Sequence, residues 1–231
     1  MKRMKSVAAV GLLLLASATS ANAQLPWETP SLLAPHAPRG LGILAASYAA
    51  APGDGWGVML TWRQADAPTG LGFRLAAGEG RGGRHAVAAG VEGSAWIARV
   101  SANFPVDMIW TTGIGGSYGS SAHVALPIGL SAGRQFGEQS VWFNPYAATR
   151  VIVEGRFGGR APADELDMQL ATELGANLSF DRERKLIIRM AASIGDRSAL
   201  TVGAHLGGGR LRNVHTAETS NRQKQEAPKD D

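Results

Sequence analysis

The chain has 231 residues, of which 45% are hydrophobic, and it contains 30 glycines and no cysteine. This composition excludes disulfide frameworks and thiol chemistry, and the length suits one sizeable domain rather than two. The formal net charge is +4, but Lys2, Arg3 and Lys5 lie at the N-terminus, and without them 20 basic side chains face 19 acidic ones. The charge therefore gives no support for nucleic-acid binding.

Residues 1–23 have the features of a secretory signal peptide. Three basic residues precede an apolar run from Val7 to Leu15, and small residues follow, ending at Ala23. The apolar run is too short to cross about 30 Å of hydrocarbon as a helix. We therefore expect export through the general secretory pathway and cleavage after Ala23.

The two stretches on either side of the central region lack periodicity. Residues 24–40 are rich in proline and are predicted to form a periplasmic N-terminal lead-in, with a brief helical turn over residues 30–33. Residues 207–231 are polar and are predicted to be a disordered tail. The domain between them covers residues 41–206.

Ten segments of that domain alternate between large apolar and small or polar side chains. A period of two residues is typical of β-strands. The predicted strands cover residues 41–49, 56–64, 71–78, 85–100, 108–118, 123–133, 141–153, 166–180, 186–194 and 200–206. The turns between them are short, and the longest predicted internal loop covers residues 155–163.

The two faces of these strands differ in a way that indicates lipid outside. One face carries Leu, Val, Ile, Phe and Trp, whereas the other carries mainly Gly, Ala and Ser with a few charges. Small residues fit the crowded interior of a narrow barrel, and most segments approach the 9–11 residues, roughly, that a tilted membrane strand needs. The sequence therefore predicts an all-β fold, a closed antiparallel up-and-down transmembrane β-barrel of about ten strands, with eight or twelve strands also compatible.

Two segments resemble repeats of the OmpA-like family of small outer-membrane β-barrel proteins: LPIGLSAG at residues 126–133 and FNPYAATRV at residues 143–151. The resemblance implies an even-stranded barrel in the outer membrane of a Gram-negative envelope, with both chain ends in the periplasm. Its implied partners are outer-membrane lipid and the outer-membrane assembly machinery. One departure is that chains of this family often end on a strand with a terminal aromatic residue, whereas a polar tail follows residue 206 here.

The alternation assigns residues to three predicted surfaces. A lumen charge network is expected from Arg63, Arg74, Glu92, Arg150, Asp167, Glu173 and Arg189. Lipid-facing positions on the longest strand are Leu166, Leu170, Leu174 and Leu178. Aromatic girdles are expected from Trp56, Trp62, Trp110, Tyr118, Phe143 and Phe180.

The predicted function is a non-enzymatic outer-membrane barrel with a structural, surface or narrow-pore role, without cofactor or metal. A lumen that carries Arg and Glu is expected to be plugged, since wide aqueous channels belong to barrels of about 16–18 strands. The alternative is a soluble periplasmic β-barrel that binds an apolar ligand in its interior. That alternative requires the face with Leu170 to point inward.

A third hypothesis is a barrel enzyme that acts on lipid or peptide. His123 and His205 are the histidines at predicted inward positions, and His123 could be grouped with Glu92 and Glu173 in a hypothetical lumen site. No serine or acid stands at a recognisable motif spacing, so structural pairing of Arg with Glu is the simpler interpretation. The glycine-rich residues 78–83 and 113–116 do not open a helix and predict no phosphate loop.

Overall fold

Ten antiparallel strands form one closed ring in the computed structural model, which describes residues 31–48, 55–80, 84–119, 121–137, 141–157, 165–181, 183–195 and 198–207. The strands are β1 (Gly40–Tyr48), β2 (Gly55–Arg63), β3 (Gly72–Gly80), β4 (Arg84–Ala98), β5 (Asp107–Tyr118), β6 (Ala122–Gly133), β7 (Trp142–Phe157), β8 (Glu165–Ser179), β9 (Leu186–Gly195) and β10 (Ala199–Gly207). The predicted signal peptide and most of the predicted tail lie outside the described residues.

Each strand pairs with its sequence neighbours, and β1 pairs with β10 to close the ring. The closing register runs from Gly40 opposite Gly207 to Tyr48 opposite Ala199. A register shift interrupts the β4–β5 ladder between Trp96 and Ala98. Closure pairs every strand on both sides, so that the ring has no free edge. The predicted fold class, an all-β closed antiparallel up-and-down barrel of ten strands, is confirmed.

Two local predictions are wrong. Strand β7 continues to Phe157, so that Gly155 and Arg156 pair with β6 instead of opening a loop; residues 158–164 lie outside the described part of the chain. Of the predicted helical turn over residues 30–33, residue 30 lies outside the described residues and residues 31–33 are not helical, because Leu32 has a φ of 55°, which is incompatible with a right-handed helix.

The two ends of the barrel are distinct. We call the end where β1 begins and β10 finishes the terminal end, and the opposite end the far end. The β2–β3, β4–β5, β6–β7 and β8–β9 connections lie at the terminal end, and the other connections lie at the far end. Strand β8 pairs with β7 from Glu165 onwards but with β9 only from Ala171, so the β7–β8 hairpin projects beyond its neighbour at the far end.

Burial alternates along the strands as the sequence pattern predicts. In β2, Gly57, Met59, Thr61 and Arg63 are buried, and the residues between them are exposed. Because a single ring encloses buried volume only inside, the buried side chains point into the lumen. Every strand exposes large apolar side chains on its outward face, for example Ile43, Leu60, Leu75, Val87, Ile114, Ile128, Val151, Leu170, Met190 and Leu200.

Within the described residues, no helix has the length and apolar character needed to cross a membrane.

The lumen is narrow, and close packing inside it requires small residues at some positions. Gly175 lies directly opposite Tyr146, whose ring occupies the space that a Cβ at position 175 would fill. This glycine allows the Tyr146 ring to lie across β8, where its hydroxyl donates a hydrogen bond to Glu173 at 2.6 Å.

Candidate functional site

The terminal end of the lumen is occupied by the chain's own residues 31–39, which we call the inner segment. Ser31, Leu32, Leu33, Ala34 and Ala37 of this segment are buried. Leu32 and Ala34 pack in one apolar cluster with the lumen residues Leu44, Tyr146, Ala148 and Ala191. The described part of the predicted lead-in therefore lies inside the strand ring.

Glu173 of β8 holds the beginning of the inner segment. Its Oε2 accepts hydrogen bonds from Ser31 N at 2.6 Å and Ser31 Oγ at 2.9 Å, and its Oε1 accepts from Leu32 N at 2.9 Å. Tyr146 Oη donates to Oε1 at 2.6 Å, and Arg150 Nη2 lies 3.5 Å from Oε2. A carboxylate that is only 1% exposed requires such compensation, because an unpaired buried charge is strongly destabilising.

Two further strands bind the middle of the segment through its carbonyl groups. Arg189 Nη2 of β9 donates to Leu32 O, and Arg189 Nε donates to Asn177 Oδ1 at 3.0 Å. Asn144 Nδ2 of β7 donates to Pro35 O at 2.6 Å. The backbone polar groups of this irregular stretch thus find partners on inward-facing side chains, as burial demands.

The opposite wall binds the last part of the segment. His36 Nε2 lies 2.8 Å from Asp107 Oδ2 of β5, and the His36 ring contacts Trp96 at a centroid distance of 5.4 Å. Asp107 Oδ1 also accepts a hydrogen bond from Val100 N at 2.9 Å. This interaction attaches the segment to the side of the barrel that lies across from β8 and β9.

The residues just before β1 complete the attachment. Ala67 N donates to Ala37 O at 2.9 Å, and Arg39 N donates to Asp66 Oδ1 at 2.8 Å, both from the β2–β3 connection. His205 Nε2 of β10 lies 2.8 Å from Arg39 O. The inner segment is therefore bonded to β5, β7, β8, β9, β10 and the β2–β3 connection, and it acts as an internal plug.

A second charge cluster lies beside the plug, on β2, β3 and β4. Glu92 is paired with Arg63 Nη1 at 3.0 Å and with Arg74 Nη2, and Arg63 Nη2 donates to Ser94 Oγ at 3.2 Å. A void of about 10 Å³ separates this cluster from the plug and is lined by Ser31, Leu33, Arg74, Glu92, Thr111, Thr112, Pro127 and Arg150. That volume holds roughly one water molecule, so the described lumen is filled at this level.

Six of the seven predicted lumen charges lie buried in these two clusters: Arg63, Arg74, Glu92, Arg150, Glu173 and Arg189. Asp167 is a correction. It is exposed and accepts hydrogen bonds from Met168 N at 2.8 Å and Gln169 Nε2 at 2.7 Å. The physical reason is that β8 passes the end of β9 at Ala171, so that position 167 stands above the lumen.

The predicted apolar positions lie on the outward face. Leu166, Leu170 and Leu174 are exposed, and Leu178 is half-buried opposite Ile188 and Phe143. The six predicted girdle aromatics are all exposed. Four of them lie near the terminal end (Trp62, Trp110, Phe143 and Phe180), and two lie near the far end (Trp56 and Tyr118).

The hypothetical grouping of His123 with Glu92 and Glu173 is wrong, because both glutamates are engaged in the clusters described above. His123 lies instead at the far end, where its Nδ1 is 2.7 Å from Glu154 Oε1 and its Nε2 is 2.6 Å from Ser121 Oγ. Sequence reasoning missed Glu154 because the predicted strand ended one residue earlier. Continuing the inward alternation of Arg150 and Ile152 would have reached it.

The inner segment was also missed. Its one sequence signal is the pair Leu32–Leu33, which is apolar within a proline-rich stretch. Within the ranges that the structure describes, no group of three or more His, Asp or Glu side chains is arranged to hold a metal ion. The chain matches no protein-family model and no curated protein.

Proposed function

We propose that this chain is a small outer-membrane β-barrel of the OmpA-like kind, with a structural or surface role, whose lumen is closed by its own inner segment. The observation that carries the proposal is the continuous outward face of exposed apolar side chains on all ten strands. Soluble monomers rarely expose contiguous apolar patches above a few hundred Å². A hydrocarbon environment makes such a face favourable.

The arrangement of the polar groups of the barrel is compatible with a hydrocarbon environment. A strand ring closed by β1–β10 pairing leaves no unpaired sheet edge, which is the condition for crossing lipid with strands. The outward aromatics fall towards the two strand ends, where interfacial girdles lie in outer-membrane barrels. The inward charges pair with each other and with the inner segment, so that none of them needs to face lipid.

The proposed orientation follows from the shared position of the chain ends. Both ends of the barrel sequence emerge at the terminal end, which in the OmpA-like family faces the periplasm. The inner segment would then enter the lumen from the periplasmic side after removal of residues 1–23. The proposed partners are outer-membrane lipid and the assembly machinery that inserts such barrels.

The plugged lumen supports a non-conducting role over a narrow pore. Purified protein in planar bilayers is expected to show no steady conductance steps, whereas Glu173→Ala, which removes the anchor of Ser31 and Leu32, is expected to show intermittent openings. Steady conductance of the unmodified protein would contradict the closed lumen. The apolar-ligand alternative gains no support, because the inner segment itself packs against buried apolar side chains of the lumen such as Leu44, and the cavity beside it has a volume of only about 10 Å³.

Fractionation of expressing cells tests the membrane proposal. The protein is expected in the outer-membrane fraction and to migrate differently on SDS gels before and after boiling, as closed barrels do. Recovery of a soluble monomer without detergent would contradict the proposal.

A further inference from the structure

Three side chains at the far end of the lumen are arranged in a hydrogen-bonded row. Ser121 Oγ lies 2.6 Å from His123 Nε2, and His123 Nδ1 lies 2.7 Å from Glu154 Oε1. The two ring nitrogens thus face a hydroxyl on one side and a carboxylate on the other. In serine hydrolases, nucleophile, base and acid are recognised by this order of contacts and not by their position in the sequence.

We propose that Ser121, His123 and Glu154 form a serine-hydrolase site that cleaves carboxylic esters at the far mouth of the barrel. Glu154 accepts a hydrogen bond from His123 Nδ1–H and so fixes the tautomer in which Nε2 is free to accept the Ser121 proton. The proposed site requires the folded barrel but not its insertion in a membrane. Its test is therefore independent of the test of the proposed function.

The strands determine this geometry. His123 is the second residue of β6, and Ser121 immediately precedes that strand with its Oγ 2.6 Å from His123 Nε2. Gly119 N donates to Ser121 O at 3.1 Å across the β5–β6 turn. Glu154 reaches His123 because β7 extends to Phe157 and pairs with every residue of β6. The ring and the carboxylate are therefore held by neighbouring strands and not by a loop.

Burial differs along the row in the sense that catalysis requires. His123 and Glu154 are buried, at 7% and 4% exposure, whereas Ser121 is half-buried at the rim. The base and its orienting acid are protected from water, and the nucleophile remains accessible. A hydroxyl that is hydrogen-bonded to an oriented imidazole is the activated form of a serine nucleophile.

The pair His36–Asp107 provides an internal comparison. Its nitrogen–oxygen distance is 2.8 Å, similar to that of His123–Glu154, but His36 stacks on Trp96 and Asp107 also holds Val100 N. That pair anchors the inner segment. At the far end the imidazole instead connects the acid to a serine hydroxyl at the rim, which is the feature that distinguishes a reactive row from an anchoring one.

The chemistry balances with water as the co-substrate. Ser121 Oγ attacks the ester carbonyl carbon while its proton moves to His123 Nε2, and the carbon–oxygen bond to the alcohol breaks as Nε2 returns the proton to the leaving alcohol. Water then attacks the acyl-serine, giving its proton to Nε2. The acid leaves, and Ser121 recovers the proton.

Arg156 is the cationic residue that the strand register places next to this row, and we assign it as the oxyanion stabiliser of the proposed site. It lies directly opposite His123 in the β6–β7 register and on the inward alternation of β7. A cationic donor at this place can stabilise the charge that develops on the carbonyl oxygen. Below the site, Ala125, Ile152 and Ala171 form a packed cluster, so we expect short acyl groups to be accepted better than long ones.

The test uses the full chain in detergent with a fluorophosphonate probe and two substrates, p-nitrophenyl acetate and a phospholipid in mixed micelles. We expect one adduct on the peptide that contains Ser121, and hydrolysis that is lost in Ser121→Ala and reduced about 100-fold or more in His123→Ala. Ser198→Ala, in the β9–β10 connection at the same end, is the matched control and should retain the full rate. Boiled and unboiled gel mobility verifies folding of each variant.

The two substrates separate the sources of the ester. Hydrolysis of p-nitrophenyl acetate alone identifies a soluble short-chain ester, and hydrolysis of the phospholipid identifies a membrane ester; both support the site. Absence of hydrolysis with both substrates, an adduct on another residue, or an undiminished rate in Ser121→Ala would overturn it. A positive result would also replace the sequence-based expectation that the chain is not an enzyme.

Discussion

The two halves of the lumen are filled in different ways. In the terminal half, large charged side chains surround the inner segment, and the buried carboxylates of Glu173 and Glu92 are bound by arginines or by backbone amides. In the far half, alanines such as Ala46, Ala88 and Ala171 form small clusters, two of which also contain Met59 or Ile152, and His123 and Glu154 lie near the rim. The same ten strands thus enclose an ion-paired plug at the terminal end and mainly small buried side chains at the far end.

The two halves show how a narrow barrel accommodates both charged and apolar side chains. The outward face carries mainly large apolar side chains, so the charged side chains of the strands pair inside the lumen. Where side chains are long and charged, the ring leaves room for an extra stretch of chain to complete their hydrogen bonds. Where side chains are small, the strands fill the lumen by themselves.

Loss of the anchor of the plug should destabilise the barrel most. Glu173→Gln leaves Arg150 without its buried carboxylate and weakens the bonds to Ser31 and Leu32, which should lower the free energy of unfolding by about 3–5 kcal/mol. Asp167→Asn on the same strand is the matched control, because its side chain is exposed above the lumen, and it should change stability little. Urea unfolding of both variants measures this difference, and equal effects would contradict the assignment of Glu173 as the anchor.

A smaller effect is expected in the far half. Ala125 is buried against Ile152 and Ala171, so Ala125→Leu should overpack the lumen and destabilise the barrel by about 1–3 kcal/mol. Val124→Leu, on the exposed outward side of the same strand, should be nearly neutral. If Ala125→Leu is tolerated as well as Val124→Leu, the far half contains unfilled space, which would contradict the description of that half as filled by its own strands.

The smallest effect concerns Asp181, in the β8–β9 connection at the terminal end. Hydrogen bonds from the backbone amides of Lys185, at 3.0 Å, and Leu186, at 3.2 Å, hold the pKa of the Asp181 carboxyl below its ordinary value of 3.8. A lowered folded pKa contributes stability that is present above the ordinary value and is lost as pH falls through the folded pKa. The free energies of unfolding of wild type and Asp181→Asn should therefore converge as the pH falls from neutral to about pH 3. A constant difference between the two proteins over this range would show that ionised Asp181 contributes no stability.

The strands could be predicted because their signal is local. Facing is determined by the alternation of neighbouring residues, and the inward positions of β7, from Asn144 to Ile152, follow from it directly. The plug could not be predicted, because Ser31 and Glu173 are 142 positions apart and nothing in a proline-rich stretch indicates which carboxylate will bind it. The row at the far end needed the register of β6 against β7, which pairs residues about 30 positions apart and is not contained in either strand alone.

Collision of spin labels with relaxing agents measures whether the apolar outward face of the barrel lies in lipid. The chain has no cysteine, so Leu170→Cys and Asp167→Cys each give one label, both at exposed positions three residues apart on β8. After reconstitution in vesicles, the label at position 170 should collide with oxygen and not with a water-soluble nickel chelate, whereas the label at position 167 should collide with the chelate. Equal, high access of the chelate to both positions would show that the apolar outward face is in water and would contradict the proposed membrane location.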